Sequence, residues 1–99
     1  MKNFRTLHTA IEFYHATKGL ALKGDAREQL DRAARSIALN LAEGRGKNTL
    51  KDQKRFFYIA FGSVRECQAL LTLERLEGTT SWDILDKLAA SIYRLIQQI

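Results

Sequence analysis

Few side chains in this chain are of the types that catalyse reactions or hold metal ions. His8 and His15 lie seven residues apart in a segment with helical spacing, and no Glu-x-x-His pair accompanies them. That spacing differs from the carboxylate–histidine pattern of di-metal helical bundles, so we interpret both as surface or half-buried side chains. Cys67 stands among apolar neighbours, which favours a packing role over a nucleophilic one. We therefore expect no metal ion and no cofactor.

Two carboxylates, Glu43 and Glu66, are the best candidates for acid–base chemistry. Nothing in the sequence supplies the rest of an active site, so we expect both to pair with arginines and keep a small hydrolase only as a third possibility. The string GRGK that follows Glu43 lacks the spacing of a phosphate-binding P-loop, and it follows no strand. The sequence thus predicts a protein that is not an enzyme.

Positive charge is concentrated in one stretch. Between positions 45 and 55 there are five cations and one anion, Asp52, so this stretch carries +4 of the net charge of +5. Lysine and arginine can contact successive phosphates of a nucleic acid, and a tyrosine ring can stack on a base. We predict a nucleic-acid-binding surface, here called the basic strip; the alternative is a solvated face. Its residues are Arg45, Lys47, Lys51, Lys54, Arg55, Tyr58 and Arg65.

A second group of arginines has acids at helical spacing. Glu28 and Asp31 precede Arg32 and Arg35 by four residues. This spacing favours ion pairs within one helix, worth a few tenths of a kcal/mol each, and so predicts a self-neutralised face.

The composition is typical of one soluble globular domain. The 99 residues predict a single domain over positions 1–99, with a core small enough for self-association to add stability. Proline is absent, which favours long helices. A single cysteine cannot form an internal disulfide, and no apolar run approaches the roughly 20 residues of a membrane span. We expect a cytoplasmic protein without a membrane segment.

Hydrophobic spacing and capping residues predict four helices with short connections. We expect the first over positions 4–18, the second from an N-cap at Asp25 to Glu43, the third from an N-cap at Thr49 to Leu76, and the fourth from an N-cap at Ser81 onward. Short connections make consecutive helices antiparallel neighbours. The expected fold class is all-α, an antiparallel up-down-up-down four-helix bundle.

The second predicted helix has a polar row beside its buried face. Its apolar stripe is Leu30, Ala34, Ile37 and Leu41. The polar row beside it, rotated by about a quarter turn, is Gln29, Ser36, Asn40 and Glu43. Polar groups in this position need partners once they are removed from water, so the row predicts a junction with another helix.

The third predicted helix carries more apolar surface than one bundle requires. We expect its core face to be Leu50, Phe57, Ala60, Phe61, Val64, Cys67 and Leu71. A second apolar row lies more than a third of a turn away: Phe56, Ile59, Leu70 and Leu73. A lone bundle needs one apolar stripe per helix, so this row predicts an oligomer interface; cover by the termini and simple exposure are the alternatives. Gly62 is interpreted as a point where a neighbouring helix approaches closely.

Two strings of the sequence resemble the signatures of a known family. QLDRAARSIALNLAEGRGK is similar to QLRRAAxSIxxNIAEGxGR, and FFYIAFGSVRECQALL is similar to FLxIAxGSLxELETQL, with matching separation. Both signatures belong to bacterial four-helix bundle proteins encoded in intervening sequences of large-subunit ribosomal RNA genes, and the resemblance spans about positions 7–96. The matching signature positions are Ser36, Asn40, Glu43, Gly44, Gly62, Ser63 and Glu66.

The resemblance implies more than a fold. It implies a ring-like homopentamer, and it extends to the basic accessory variability proteins of diversity-generating retroelements, which bind a reverse transcriptase and nucleic acid. Ala38 stands where proline is common, and Cys67 and Gln68 replace the usual Leu-Glu, so a kink and one acid of the pattern are missing.

One function and one alternative follow. We expect a non-enzymatic oligomeric accessory protein that binds RNA or DNA through the basic strip and supports a reverse transcriptase. The alternative is a scaffold that docks a partner protein, such as a polymerase, through the second apolar row, with charge serving only steering and solubility.

Overall fold

The computed structural model describes residues 4–99 and shows four helices. Helix α1 spans Arg5–Thr17, α2 spans Gly24–Arg45, α3 spans Leu50–Leu73 and α4 spans Thr80–Gln97. Within the described part of the chain, no helix is long and apolar enough to cross a membrane.

The helices form a closed circuit of neighbours. Among the described residues, the backbone of α1 lies beside α2 and α4, and that of α3 lies beside α2 and α4. α2 and α3 run antiparallel, because Arg32 pairs with Glu66 near one end of the hairpin while Gly44 meets Phe57 near the other. The bundle measures 40 × 21 × 20 Å. This arrangement confirms the expected all-α four-helix bundle.

Capping explains where α3 begins, and it corrects two expectations. The Thr49 hydroxyl accepts the Asp52 N–H at 3.1 Å, as predicted. α4 is capped by Thr79, whose hydroxyl accepts the Trp82 N–H, whereas Ser81 is buried inside the first turn. Asp25 likewise lies inside the first turn of α2, which begins at Gly24 after Lys23. Its carboxylate still lies near the positive end of the helix dipole.

The ends of α2 and α3 also differ from the expectation. α2 continues to Arg45, two residues beyond Glu43, so Gly44 lies inside the last turn. α3 ends at Leu73 rather than Leu76, because Arg75 adopts a left-handed backbone with φ 59°. The Leu76 N–H then bonds the Leu71 carbonyl at 2.8 Å, which satisfies an unpaired carbonyl of the last turn.

The core is built from the inner faces of all four helices. The apolar stripe of α2 is fully buried, as predicted: Leu30, Ala34, Ile37 and Leu41. On α3 most of the expected core residues are buried, but Leu50 is 63% exposed and Phe61 only partly covered. Leu50 is the first residue of α3, at the end of the bundle, so neighbouring helices do not cover it.

The second apolar row of α3 divides into sheltered and exposed members. Leu70 packs against the core, and Phe56 is half-buried. Ile59 is 42% exposed and Leu73 76% exposed. Only Ile59 and Leu73 of this row therefore form exposed apolar surface, since Phe56 and Leu70 are partly covered within the chain.

The close approach expected at Gly62 occurs instead at Gly44. A Cβ at Gly44 would lie 2.8 Å from Cε1 of Phe57 and 3.0 Å from Cβ of Phe56, whereas a Cβ at Gly62 meets nothing within 4 Å. Gly62 faces outward in the described chain, so the prediction of a close contact there is wrong for the bundle itself.

Candidate nucleic-acid interface

The turn between α2 and α3 positions the first half of the basic strip. The Gly46 N–H bonds the carbonyls of Ala42 and Glu43, which closes the last turn of α2. The side-chain amide of Gln53 donates to the Lys47 carbonyl at 3.0 Å from the first turn of α3. These bonds hold the residues between the two helices in one conformation, so the cations that flank the turn have defined positions.

Glycine at position 44 brings the two helices close together at this end. With no side chain there, the Phe57 ring packs directly on the last turn of α2, and Phe56 lies beside it. The Phe57 ring also meets Phe4, with 6.3 Å between ring centroids. Aromatic rings are thus packed together beneath this end of the strip.

Four cations of the strip lie over aromatic rings, three of them near the end of α2. Nζ of Lys47 and Cζ of Arg55 lie 5.0 and 4.7 Å from the Phe56 ring centroid. Cζ of Arg45 lies 4.8 Å from that of Phe4. Such contacts are worth about 0.5–1 kcal/mol each at exposed sites, and they orient the cations without neutralising them.

Acidic neighbours are scarce around the strip. Lys47 forms an ion pair with Glu43 at 3.0 Å. Within residues 4–99 no other carboxylate lies within 4.0 Å of a charged nitrogen of the strip. The surface therefore keeps most of its positive charge. Glu43 pairs with a lysine one turn away, so the expectation of an arginine partner is wrong for this residue.

The strip divides between two sides of α3. Arg45, Lys47 and Arg55 gather where α2 ends, around Phe4 and Phe56. The remaining members of the strip, apart from Lys51, lie on the opposite flank toward α4: Lys54, Tyr58 and Arg65. Lys51 is exposed in the first turn, between the two groups. Arg65 lies over the Phe61 ring at 4.8 Å and donates to Oε1 of Gln68 at 3.0 Å.

Polar signature residues meet at the junction of α2 and α3. The hydroxyls of Ser36 and Ser63 are 2.9 Å apart, and the Asn40 side-chain amide donates to the Ser36 carbonyl and hydroxyl at 2.9 and 3.1 Å. Hydrogen bonds between half-buried hydroxyls fix the register of the two helices. Within the polar row of α2, Ser36 therefore meets α3 of its own chain, whereas Asn40 bonds within α2 and Glu43 is exposed.

The two signature carboxylates do not form a pair. Glu66 lies 3.8 Å from Arg32 in a solvent-exposed contact. The Ser36–Ser63 contact fixes the register, and it places Glu66 about ten residues, roughly 15 Å, along the bundle from Glu43. Paired catalytic carboxylates of glycosidases lie within about 9.5 Å. The arrangement therefore gives no support to the hydrolase alternative.

Arg32 and Arg35 do not form the ion pairs that their spacing predicted. Asp31 binds Arg27 and Lys18, each at 3.1 Å, and Arg32 reaches across to Glu66. The expected Glu28–Arg32 and Asp31–Arg35 pairs do not form among the described residues. Asp31 pairs with Arg27 one turn earlier in α2 and with Lys18 beyond the end of α1, and Arg32 pairs with Glu66 of α3.

The remaining titratable candidates have structural surroundings. Burial raises the pKa of the Cys67 thiol to about 12, with a smaller contribution from the nearby charge of Glu66, so the thiol stays protonated. His8 and His15 are exposed, and His15 packs edge-on against Tyr14. Among residues 4–99 no group of three His, Cys, Asp or Glu side chains is placed to hold a metal ion.

One exposed aromatic side chain, Tyr93, is not among the residues predicted from the sequence. It lies on α4 and is 55% exposed, as is Tyr58 on α3. The spacing of α4 indicates this exposure, because Tyr93 falls outside the apolar stripe that contains Ile92 and Ile96. An aromatic ring on a polar helix face is available for contact with a ligand.

Comparison with known proteins identifies the family. A family model described as 23S rRNA-intervening sequence protein matches residues 5–99. The chain belongs to this family. The match covers all four helices and both signature strings. The comparison with curated proteins gave no match.

Proposed function

We propose that this protein is a non-enzymatic accessory protein that binds RNA or DNA through the basic strip. It acts as a homo-oligomer, with the pentamer implied by the family resemblance, and it supports a reverse transcriptase in a retroelement. The retroelement role rests on the resemblance alone, whereas the nucleic-acid role also has support from the geometry of the strip.

The observation that carries the proposal is the uncompensated charge of the strip. Five of its six cations have no carboxylate within 4.0 Å among the described residues, and four of the six are held over aromatic rings. Cations in this state can contact phosphates and release condensed counterions without first breaking an ion pair. Repetition of the strip around an oligomer would merge these patches into one field.

The test is a salt titration of binding. Replacement of Lys51, Lys54 and Arg55 by glutamine removes three of the six charges, while the ring contacts of Arg45 and Lys47 remain. Binding to mixed single- and double-stranded RNA and DNA is measured by filter retention at several salt concentrations. We expect weaker binding and a smaller salt slope, by up to about 2–3 in the logarithmic plot.

A matched control removes the same charge elsewhere. Lys23, Arg75 and Lys87 are exposed cations outside the strip, and their replacement by glutamine leaves the strip intact. If both triple variants bind equally well and with the same slope as the original chain, the strip is not the binding surface.

The second candidate is a protein-interaction scaffold, which the exposed members of the second apolar row support. Ile59 and Leu73 lie on the outer face of α3, and Leu39 of the neighbouring helix is 57% exposed. Docking of a partner such as a polymerase would cover them. Absence of binding to every nucleic acid at physiological salt would favour this candidate over the first.

A further inference from the structure

Tyr93 lies on the flank of α4 that faces α3. The hydroxyl of Ser91 on α4 contacts that of Thr6 on α1, which identifies the flank toward α1. Tyr93 is two residues further on and therefore lies about 200° around the helix, on the other flank. The circuit of helix contacts places α3 beside that flank.

The same argument places part of the basic strip on the facing flank of α3. Ser63 contacts Ser36 and so marks the flank toward α2. Phe61 precedes it by two residues and lies about 160° away, toward α4. Lys54, Tyr58 and Arg65 fall between Phe61 and the outermost line of α3, within about 60° of the Phe61 direction. These side chains lie along the α3–α4 groove.

The register between α3 and α4 brings the two tyrosines to one level. A cavity of about 290 Å³ at the end of the bundle is lined by Gln53 and Phe57 of α3 together with Leu95, Gln98 and Ile99 near the end of the chain. In antiparallel helices with this register, position 58 lies opposite position 94. This register predicts that Tyr58 and Tyr93, each 55% exposed, lie at about the same level of the α3–α4 groove.

We propose that the α3–α4 groove binds single-stranded nucleic acid, with bases stacked on Tyr58 and Tyr93 and phosphates in contact with Lys54 and Arg65. This inference rests on the proposed function and names its ligand class. A single strand can turn its bases toward two rings, whereas a duplex covers its base faces by stacking. Arg65 is already oriented by the Phe61 ring and Gln68. Asp86 is exposed on the same flank of α4 and lies opposite position 66 in this register, so the cationic track ends at Arg65.

The test separates base stacking from phosphate contact. Tyr58→Ala and Tyr93→Ala are compared with Tyr58→Phe and Tyr93→Phe by fluorescence anisotropy. The probes are a poly-uridine strand and a poly-thymidine strand of about 12 nucleotides, a duplex, and an abasic strand that keeps the phosphates. We expect each alanine variant to lose about tenfold in affinity for the single strands and nothing for the abasic strand or duplex, with an unchanged salt slope. The phenylalanine variants should bind as the original chain does.

The outcomes distinguish this inference from the proposed function. Ile11→Ala, which removes an exposed apolar side chain from α1, serves as the control for surface changes outside the groove. If the alanine variants bind single strands as tightly as the original chain, while loss of the strip's cations still weakens binding, the groove inference is overturned and the proposed function stands. If the original chain binds no nucleic acid in a salt-dependent manner, both are overturned.

Discussion

At the scale of single residues, Arg27 ties the end of α1 to α2. Its guanidinium donates to the carbonyls of Thr17 and Leu20 at 3.0 and 2.6 Å and to the Asp31 carboxylate at 3.1 Å. The carbonyls at the end of α1 have no partners inside their own helix, so a side chain of the next helix supplies the donors. The Arg27–Asp31 pair has i,i+4 spacing within α2, but no spacing rule within one helix indicates the bonds from Arg27 to the carbonyls of Thr17 and Leu20.

Asp31→Asn should reveal this contact through its pH dependence. Burial by itself raises the pKa of Asp31, but hydrogen bonds from Lys18 and Arg27 outweigh it, so the pKa lies below the ordinary value. A depressed carboxyl pKa contributes stability above about pH 4 that is lost as the pH falls further. The variant should be less stable at pH 7, by no more than about 1 kcal/mol because the pair is partly exposed. Urea unfolding followed by circular dichroism should show this difference shrink in acid; a constant difference would contradict it.

Arg75→Gly should stabilise the chain. Arg75 has φ 59°, a left-handed conformation that costs a residue with a side chain about 1–2 kcal/mol, part of which glycine loses again to its freedom when unfolded. We expect a net gain of about 0.5–1 kcal/mol in the free energy of unfolding. Arg75→Ala is the matched control, because it removes the same charge but keeps the Cβ. Equal stability of the two variants would show that the backbone conformation is not the cause.

At the scale of helices, spacing predicted the elements well and their ends less well. The apolar stripe of α2 and the Thr49 cap were predicted correctly, since both depend on residues close in sequence. The cap of α4 was assigned to Ser81 rather than Thr79, because both are hydroxyl residues ahead of the same apolar run. The close approach at Gly44 depends on where the rings of the next helix fall, which periodicity does not indicate.

The glycines at 44 and 62 should respond oppositely to alanine. A methyl group at Gly44 must displace the Phe57 ring, which we expect to cost about 1–3 kcal/mol in the free energy of unfolding. At Gly62 the same change meets open space in the interior of α3, so helix propensity should add up to about 1 kcal/mol. Thermal or urea denaturation of the two variants measures both. A stabilised Gly44→Ala would mean that the helices separate more easily than the packing indicates.

At the scale of the whole molecule, the basic strip shows what sequence can and cannot predict about the candidate site. Local charge excess needs no structure, and five of the cations follow one another within eleven positions. The division of the strip between two flanks of α3 depends on which helix packs on each side. Tyr93 is distant from the strip in sequence and comes beside it only through the order of helices in the bundle.

Ile59→Glu tests assembly at this same scale. Ile59 is 42% exposed on the outer face of α3, and a charge there should be tolerated in a separate chain but costly in an interface between copies. We expect the variant to form smaller particles than the original chain, as measured by light scattering after size-exclusion chromatography. Ala90→Glu, at an exposed position of α4, is the control and should leave the particle mass unchanged. Equal masses for all three would remove the support for an oligomer interface on this row.

The reactivity of the buried Cys67 thiol can be used to measure the opening of the bundle. Cys67 is the only cysteine, has no exposed surface, and is held protonated by a pKa of about 12. An alkylating reagent should therefore react with Cys67 only when the bundle opens and exposes α3, and then at the ordinary rate of a free cysteine. The labelling half-life at neutral pH would report how often each chain opens, and lengthening of that half-life with added nucleic acid would register a bound ligand without any attached dye.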